Sequence, residues 1–382
     1  MKKTIAVVLG TRPEAIKLAP VARRLQSSES LQPYVICTSQ HGEMAASTLR
    51  RFDLQPDLDL QVMQPRQSLH GLTAVLASRL GKALQEREVD AVLVQGDTTT
   101  AMVGGLCGFY HRIPVGHVEA GLRSHDRYSP FPEEMNRSLL GRMATWHFAP
   151  TDFSATQLLR ENIDRESIHV AGNTVVDALE WMIQRKSSRP LPAGVEDGRS
   201  RMILVTCHRR ENHGLPLRSV ALAVRHLADG HSDVRIVLPL HPNPAVREAV
   251  LPVLEGSPRI TVCEPLDHED FLALLQRAYF VLSDSGGVQE EATALGKPVL
   301  VLREETERPE GVEAGTLRLV GTDTPRILRE AEILLNDADA YRAMSRGSGV
   351  FGDGHAADRI AGVLERHLGG GAGDPVYSKG WL

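Results

Sequence analysis

Residues 4–25 read TIAVVLGTRPEAIKLAPVARRL, and the two halves of this stretch have different periods. Thr4–Leu9 is a short, almost wholly apolar run rich in β-branched residues, the pattern of a strand buried on both faces. Gly10-Thr11-Arg12-Pro13-Glu14 breaks the run, and Glu14–Leu25 then carries apolar residues at helical spacing. Strand, glycine turn and helix in that order open a parallel α/β unit. The turn also has chemistry open to it. Backbone N–H groups and the helix dipole suit an anion, and Arg12 and Lys17 add full charges. Plain capping of the first helix accounts for the same residues equally well. The segment is neither a G-x-G-x-x-G fingerprint nor a Walker sequence, so it supports neither a nicotinamide dehydrogenase nor a P-loop NTPase.

Working outward, the same alternation recurs. Strands are predicted at Tyr34–Thr38, Ala91–Val94, Pro114–Val118, Trp146–Ala149 and Ile168–Val170, with helical patterns such as Leu69–Arg87 and Glu133–Thr145 between them. Lys186–Arg201 (KSSRPLPAGVEDGRSR) interrupts this as a polar, Pro- and Gly-bearing connector. Strands then resume at Met202–Thr206, Val234–Leu238, Ile260–Val262, Phe280–Ser283 and Pro298–Leu302. Helices are predicted at Leu217–Leu227, Pro244–Leu254, His268–Arg277 and Val288–Leu295. The expectation is two doubly wound α/β domains with ligand in the cleft at the carboxyl ends of the strands. Residues 1–172 form the first and 173–354 the second; 371–382 is a mobile tail.

The length of 382 residues agrees with two domains, since single cores rarely grow beyond ~250–300 residues. The net charge of −5 argues against a general nucleic-acid binder. The four cysteines lie far apart with no CxxC pair, which favours buried thiols over disulfides or zinc. The N-terminal apolar run leads straight into Thr11-Arg12-Pro13 and reads as a strand, not a signal peptide, and no stretch is long enough to span a bilayer. A cytoplasmic protein without membrane partners is expected.

The unusual polar clusters fall just after predicted strands. Gln95-Gly96-Asp97 follows one, and taken alone Asp97 reads best as a helix cap. Glu119 ends the next strand beside Gly121. Pro132-Glu133-Glu134 opens a helix in which Glu133 and Arg137 have i,i+4 spacing. Three acids presented this way suit general acid–base work. In the second half, Cys207-His208-Arg209-Arg210 follows the first strand and His241 the second. Zinc at His208 is disfavoured because no further ligand stands at metal spacing. Ser285 with the N–H groups of Gly286 and Gly287 makes a second anion nest, and Glu291, about one turn into that helix, suits a ribose hydroxyl pair. Two nests imply a diphosphate, to which Arg308 adds a cation.

These segments in order (GTRPEAIKLAP, QGDTTT, IPVGHVEAGLRS, YSPFPEEMNR, HFAPT, AGNTVVDAL, HRREN, DSGGVQEEA, GKPVLVLR and TERPEG) resemble the non-hydrolysing UDP-N-acetylglucosamine 2-epimerases along nearly the whole chain. The resemblance implies a GT-B fold of two Rossmann-like domains, commonly a homodimer, with UDP-sugar and UDP as partners and no metal or redox cofactor. It implies elimination of UDP to 2-acetamidoglucal and re-addition with inversion at carbon 2. By it, Asp97, Glu119 and Glu133 are the acid–base set, with no assignment of faces. Arg12, Lys17, Arg137 and His208 steady the diphosphate, and His241, Ser285, Gly286, Gly287, Glu291 and Arg308 hold UDP. By the same resemblance the last helix, Ala356–Leu368 within about 355–370, returns to join the first domain.

Two departures stand out. The family's QHREM segment reads Gln40-His41-Gly42-Glu43-Met44, losing an arginine near the site where many members bind a second, activating UDP-sugar. Gln40, His41, Arg66, Gln67 and Arg210 resemble the rest of that site. EATALGKP in place of EAPSLGKP is a neutral packing change. A GT-B glycosyltransferase, a hydrolysing 2-epimerase, an epimerase of a modified UDP-N-acetylhexosamine and an inactive UDP-sugar binder remain as alternatives.

Overall fold

A computed structural model describes residues 1–40, 44–64, 66–185, 200–346 and 349–369. The chain divides into two compact units, Met1–Trp181 with the segment from Gly352 onward, and Met182–Phe351. The connector at 186–199 and the tail at 371–382 lie outside the described residues.

In the first unit the elements run β1 (Lys3–Leu9), α1 (Arg12–Gln26), β2 (Leu31–Cys37), α2 (Met44–Arg51), β3 (Leu58–Asp59), α3 (Leu69–Glu86), β4 (Ala91–Gln95), α4 (Thr99–Tyr110), β5 (Val115–Val118), α5 (Glu133–Met143), β6 (Trp146–Ala149), α6 (Asp152–Arg160), β7 (Ile168–Val170) and α7 (Thr174–Gln184), whose last turn passes into the second unit. The strands pair in parallel in the order β3-β2-β1-β4-β5-β6-β7. After Lys3, every residue of β1 is buried, as a central strand covered on both faces requires.

Two features of this sheet depart from the sequence reading. β3 was not expected, because a strand of two residues carries no alternation to detect. β2 begins at Leu31, not Tyr34, and takes in Pro33. Proline is tolerated there because β3 pairs only with Ile36 and Cys37, so that edge of β2 needs no N–H donor at Pro33.

The second unit runs β8 (Arg201–Thr206), α8 (Leu215–Gly230), β9 (Val234–Pro239), α9 (Pro244–Leu254), β10 (Ile260–Cys263), α10 (His268–Arg277), β11 (Phe280–Ser283), α11 (Gly286–Ala294), β12 (Val299–Val301), α12 (Pro309–Glu313), β13 (Leu317–Leu319), α13 (Thr324–Asn336) and α14 (Ala338–Ser345). Its parallel order is β10-β9-β8-β11-β12-β13. The three-residue β13 also escaped the sequence reading.

The last helix, α15 (Ala356–Leu368), belongs to the first unit. Its opening N–H groups, on Ala356 and Ala357, donate to the Asp177 carboxylate of α7 at 3.3 and 2.8 Å. Arg24 on α1 pairs with its Asp358 and Glu365. Burial pushes the Asp177 carboxyl up to about 6 in spite of those hydrogen bonds. Among the described residues no helix is long and apolar enough to cross a membrane. All four cysteines are free.

Candidate active site

Each sheet reverses its strand order once, between β1 and β4 in the first unit and between β8 and β11 in the second. The carboxyl ends of strands flanking such a reversal are where α/β sheets receive ligands. The polar clusters of the sequence lie at or beside these ends.

In the first unit one arginine organises the acids. Arg137, on the second turn of α5, ion-pairs with Asp97 after β4 and donates to the Glu119 carbonyl at 2.6 Å. Its guanidinium also lies 3.6 Å from the Glu119 carboxylate. Lys17 of α1 ion-pairs with Glu119, and Gln95 at the end of β4 donates to the same carboxylate oxygen at 2.6 Å. Asn136 donates to the Asp97 carbonyl at 2.9 Å. Four segments therefore meet on Asp97 and Glu119. Glu133 stands at the first position of α5, one turn before Arg137.

The two acids differ in access. The Glu119 side chain is 7% exposed and that of Asp97 26%. Oδ1 of Asp97 has no partner among the described residues. Asp97 is not the cap of α4: Thr98 is, accepting from the Ala101 N–H at 3.0 Å. That removes the structural explanation preferred from sequence. Glu119 holds a left-handed backbone at φ 63°, uncommon for a residue with a side chain and worth about 1–3 kcal/mol of strain. The contacts from Lys17, Gln95 and Arg137 hold it there. Gly121, at φ 93°, must be glycine, since a Cβ would stand 2.2 Å from the Ser154 carbonyl oxygen.

The turn after β1 corrects one expectation. The Gly10 and Thr11 N–H groups donate to Glu14 at 3.0 and 2.8 Å, completing a capping box with Thr11. Those two donors are therefore taken by the helix's own glutamate, and the first anion nest is a cap. Thr98 donates to the other Glu14 oxygen at 2.6 Å, tying the β1 turn to the residue after Asp97. Burial pushes the Glu14 carboxyl up to about 7, outweighing these hydrogen bonds. Arg12, at the first position of α1, is half-buried.

In the second unit Asp284, fully buried after β11, accepts from the N–H groups of His208 and Arg209 at 3.0 and 2.9 Å and from the Asn212 amide at 2.9 Å. This carboxylate shapes the segment after β8. His208 stacks on His241, ring centroids 5.4 Å apart. The His208 side chain is 42% exposed, yet its pKa is lowered, first by burial and then by His241, with Asp284 opposing. The ring is thus neutral near pH 7 before any anion arrives.

Ser285 precedes α11 without using its side chain as a cap, so the start of that helix keeps an anion-binding character. The Arg308 guanidinium lies against the Gly286 backbone: a Cβ at Gly286 would stand 2.6 Å from Nη1. Arg308 is not an uncompensated cation. Glu290 binds it at 2.8 Å and Glu307 at 3.1 Å, and Glu307 is held down to about 2 by Arg308 and Arg303 against its burial. Glu291 is also engaged, its Oε1 lying 2.7 Å from His268 Nε2.

The activating-site residues are less coherent. Gln40 accepts from Thr100 at 2.8 Å. Gln67 spends its amide inside its own loop, accepting from the Gln64 N–H and donating to the Val62 carbonyl, each at 3.2 Å, which leaves it poorly suited to a ligand. Arg66 is exposed. His41 and the Arg210 side chain lie outside the described residues.

Sequence reasoning missed Glu14, Gln95, Asn136, Asp284 and His268. Gln95 and Asp284 had a usable signal, a polar residue at the end of an apolar strand beside a glycine turn. His268 had none, because its partner lies 23 residues away. Among the described residues no group of three or more His, Cys, Asp or Glu side chains could hold a metal ion.

Two parallel Rossmann-like units, each with its polar groups at the strand reversal, define the GT-B class of α/β protein. The family model described as UDP-N-acetylglucosamine 2-epimerase matches residues 23–365. A UDP-N-acetylglucosamine 2-epimerase of Bacillus subtilis is 48% identical over 370 residues, 97% of each chain. A Neisseria meningitidis UDP-GlcNAc 2-epimerase solved bound to UDP-GlcNAc is 41% identical, with TM-score 0.88 over 96% of this chain and 100% of that one. An S. aureus protein solved with UDP is 43% identical, with TM-score 0.88 over 97% of both chains. The chain belongs to the UDP-N-acetylglucosamine 2-epimerase family.

Proposed function

We propose that this enzyme interconverts UDP-N-acetylglucosamine and UDP-N-acetylmannosamine, eliminating UDP and adding it back. The observation that carries the reading is the gathering of Asp97 and Glu119 on Arg137, with Lys17 on Glu119, in a chain of this family. Asp97, with one oxygen open, removes the proton from carbon 2 while the bond from carbon 1 to the diphosphate oxygen breaks. The products of that step are 2-acetamidoglucal and UDP. UDP then re-adds at carbon 1 as a proton returns to the opposite face of carbon 2, with Glu119 and Glu133 completing the acid–base set. No electron is gained or lost overall, so the sequence of steps calls for no redox cofactor.

Lys17, Arg137 and Arg12 are the cations suited to the charge that grows on the departing diphosphate. Burial lowers the His208 pKa, and an anion beside the ring would favour its charged form. Ser285, Gly286, Gly287, His241, Arg308 and Glu291 are assigned to UDP, Glu291 to its ribose hydroxyls. The protein is taken to work in the cytoplasm and, as the resemblance implies, as a homodimer, with UDP-sugars and neither nucleic acid nor membrane as partners.

The test is incubation with UDP-N-acetylglucosamine in deuterated water, followed by NMR. UDP-N-acetylmannosamine carrying deuterium at carbon 2 is expected. Free N-acetylmannosamine with UDP would identify a hydrolysing enzyme instead. An Asp97→Asn variant turning over at the wild-type rate would sink the acid–base assignment.

A further inference from the structure

In the second unit, α10 and α11 each contribute one side chain to a buried pair that the epimerase chemistry leaves unassigned. His268 is the first residue of α10, fixed by Asp267, which caps that helix by accepting from the Asp270 N–H. Its Nε2 lies 2.7 Å from Glu291 Oε1, and the two side chains are 8% and 9% exposed. The other imidazole nitrogen, Nδ1, is buried without a partner among the described residues. A proton on Nδ1 would be a buried donor with nothing to receive it, so the proton belongs on Nε2 and points at Glu291.

We propose that His268 is a specificity-determining residue that holds the Glu291 carboxylate ready for the ribose hydroxyl pair, so that the site separates uridine from 2′-deoxyuridine diphosphates. The proposal rests on the assignment of Glu291 to ribose given above. Glu291 sits on α11, whose start presents Gly286 and Gly287 to a diphosphate. Glu291 lies five positions after Gly286, about 7.5 Å along a helix axis. That matches the order of the distance from a diphosphate to the ribose diol of the same nucleotide.

A glutamate side chain has three torsions, and leaving them loose would lower affinity when a ligand had to order them. The His268 bond orders them beforehand. It occupies one oxygen, while Oε2 of Glu291 has no partner among the described residues. An ionised carboxylate only accepts, which suits hydroxyl donors. Its neighbour Glu290 is 1% exposed and gives its Oε1 to the Arg308 guanidinium, which leaves Glu291 as the less buried glutamate of this pair.

The experiment is titration calorimetry of the full-length protein with UDP and with 2′-deoxy-UDP. The wild type should prefer UDP on the order of tenfold or more. His268→Leu and His268→Met both remove the donor at similar volume, and circular dichroism checks that each is folded. In either variant the preference should fall to about threefold or less, through weaker UDP binding, with 2′-deoxy-UDP changed by under about twofold. His268→Gln, which can still donate to Glu291, should retain most of the preference. Glu291→Gln is the control for the underlying assignment. If it abolishes the preference while both apolar variants keep the wild-type ratio, His268 does not set specificity and the proposal is overturned with the ribose assignment intact. If Glu291→Gln itself leaves the ratio unchanged, the ribose assignment fails and the proposal falls with it.

Discussion

Replacing Glu14 with glutamine removes a buried titrating group while keeping its shape. Glu14 is 1% exposed, and burial carries its pKa from 4.5 to about 7 against the hydrogen bonds from Thr98, Thr11 and Gly10. An acid with a raised pKa binds its proton more tightly folded than unfolded. Its contribution to stability is therefore full below 4.5 and is lost as pH rises through about 7. For one group with these two values the loss is about 0.8 kcal/mol at about pH 5 and about 3.3 kcal/mol at about pH 8, a change of roughly 2.5 kcal/mol.

The Glu14→Gln amide oxygen can still accept from the Gly10 and Thr11 N–H groups, and its NH2 can donate to Thr98 once that hydroxyl turns. It does not titrate. The unfolding free energy of the variant relative to wild type should therefore shift in the variant's favour by roughly 2.5 kcal/mol between about pH 5 and about pH 8. Urea unfolding followed by tryptophan fluorescence is the suitable assay. Trp146 and Trp181 belong to the unit that contains Glu14 and no tryptophan lies in Met182–Phe351, so the signal of these two follows the first unit. A difference that stays within about 0.5 kcal/mol across the range, or that moves the other way, would refute the argument that burial dominates over hydrogen bonding at this carboxyl.

Two further outcomes follow from the second unit. Asp284→Ala strips the acceptor from the His208 and Arg209 N–H groups and the Asn212 amide, and should lower stability by about 3–5 kcal/mol, with hydrogen exchange at residues 208 and 209 accelerated together. Gly286→Ala places a Cβ 2.6 Å from Arg308 Nη1, so the guanidinium must move; UDP affinity measured by calorimetry should drop on the order of tenfold while the melting temperature changes little.

The sequence was most legible where one residue's environment follows from its near neighbours. α9 and α10 have the boundaries predicted from spacing, Pro244–Leu254 and His268–Arg277, because apolar periodicity and caps are local signals. β3 and β13 were not legible, since two or three residues become a strand only when a neighbour's edge is already in place. The turn at Gly10 admitted two readings until the Glu14 side chain was seen to bend back onto it. Asp97 shows the reverse case. Nothing local distinguishes it from a cap, and only Arg137, 40 residues away, draws it into the acid cluster.

The alternation of the longer strands and helices, the change of pattern at 186–201 and the run of family motifs were determined by sequence alone, because periodicity and turn chemistry act over a few residues. Tertiary structure decided which charges are spoken for. Glu14, Gln67, Arg308 and Glu291 all look available in the sequence, and each is engaged by a partner in the fold. The reason is desolvation: a buried polar group must find a hydrogen-bond partner, and that partner is supplied by whichever chain segment packs beside it. Motifs therefore disclose which groups stand at the strand ends, and packing decides which of them are left open to a substrate.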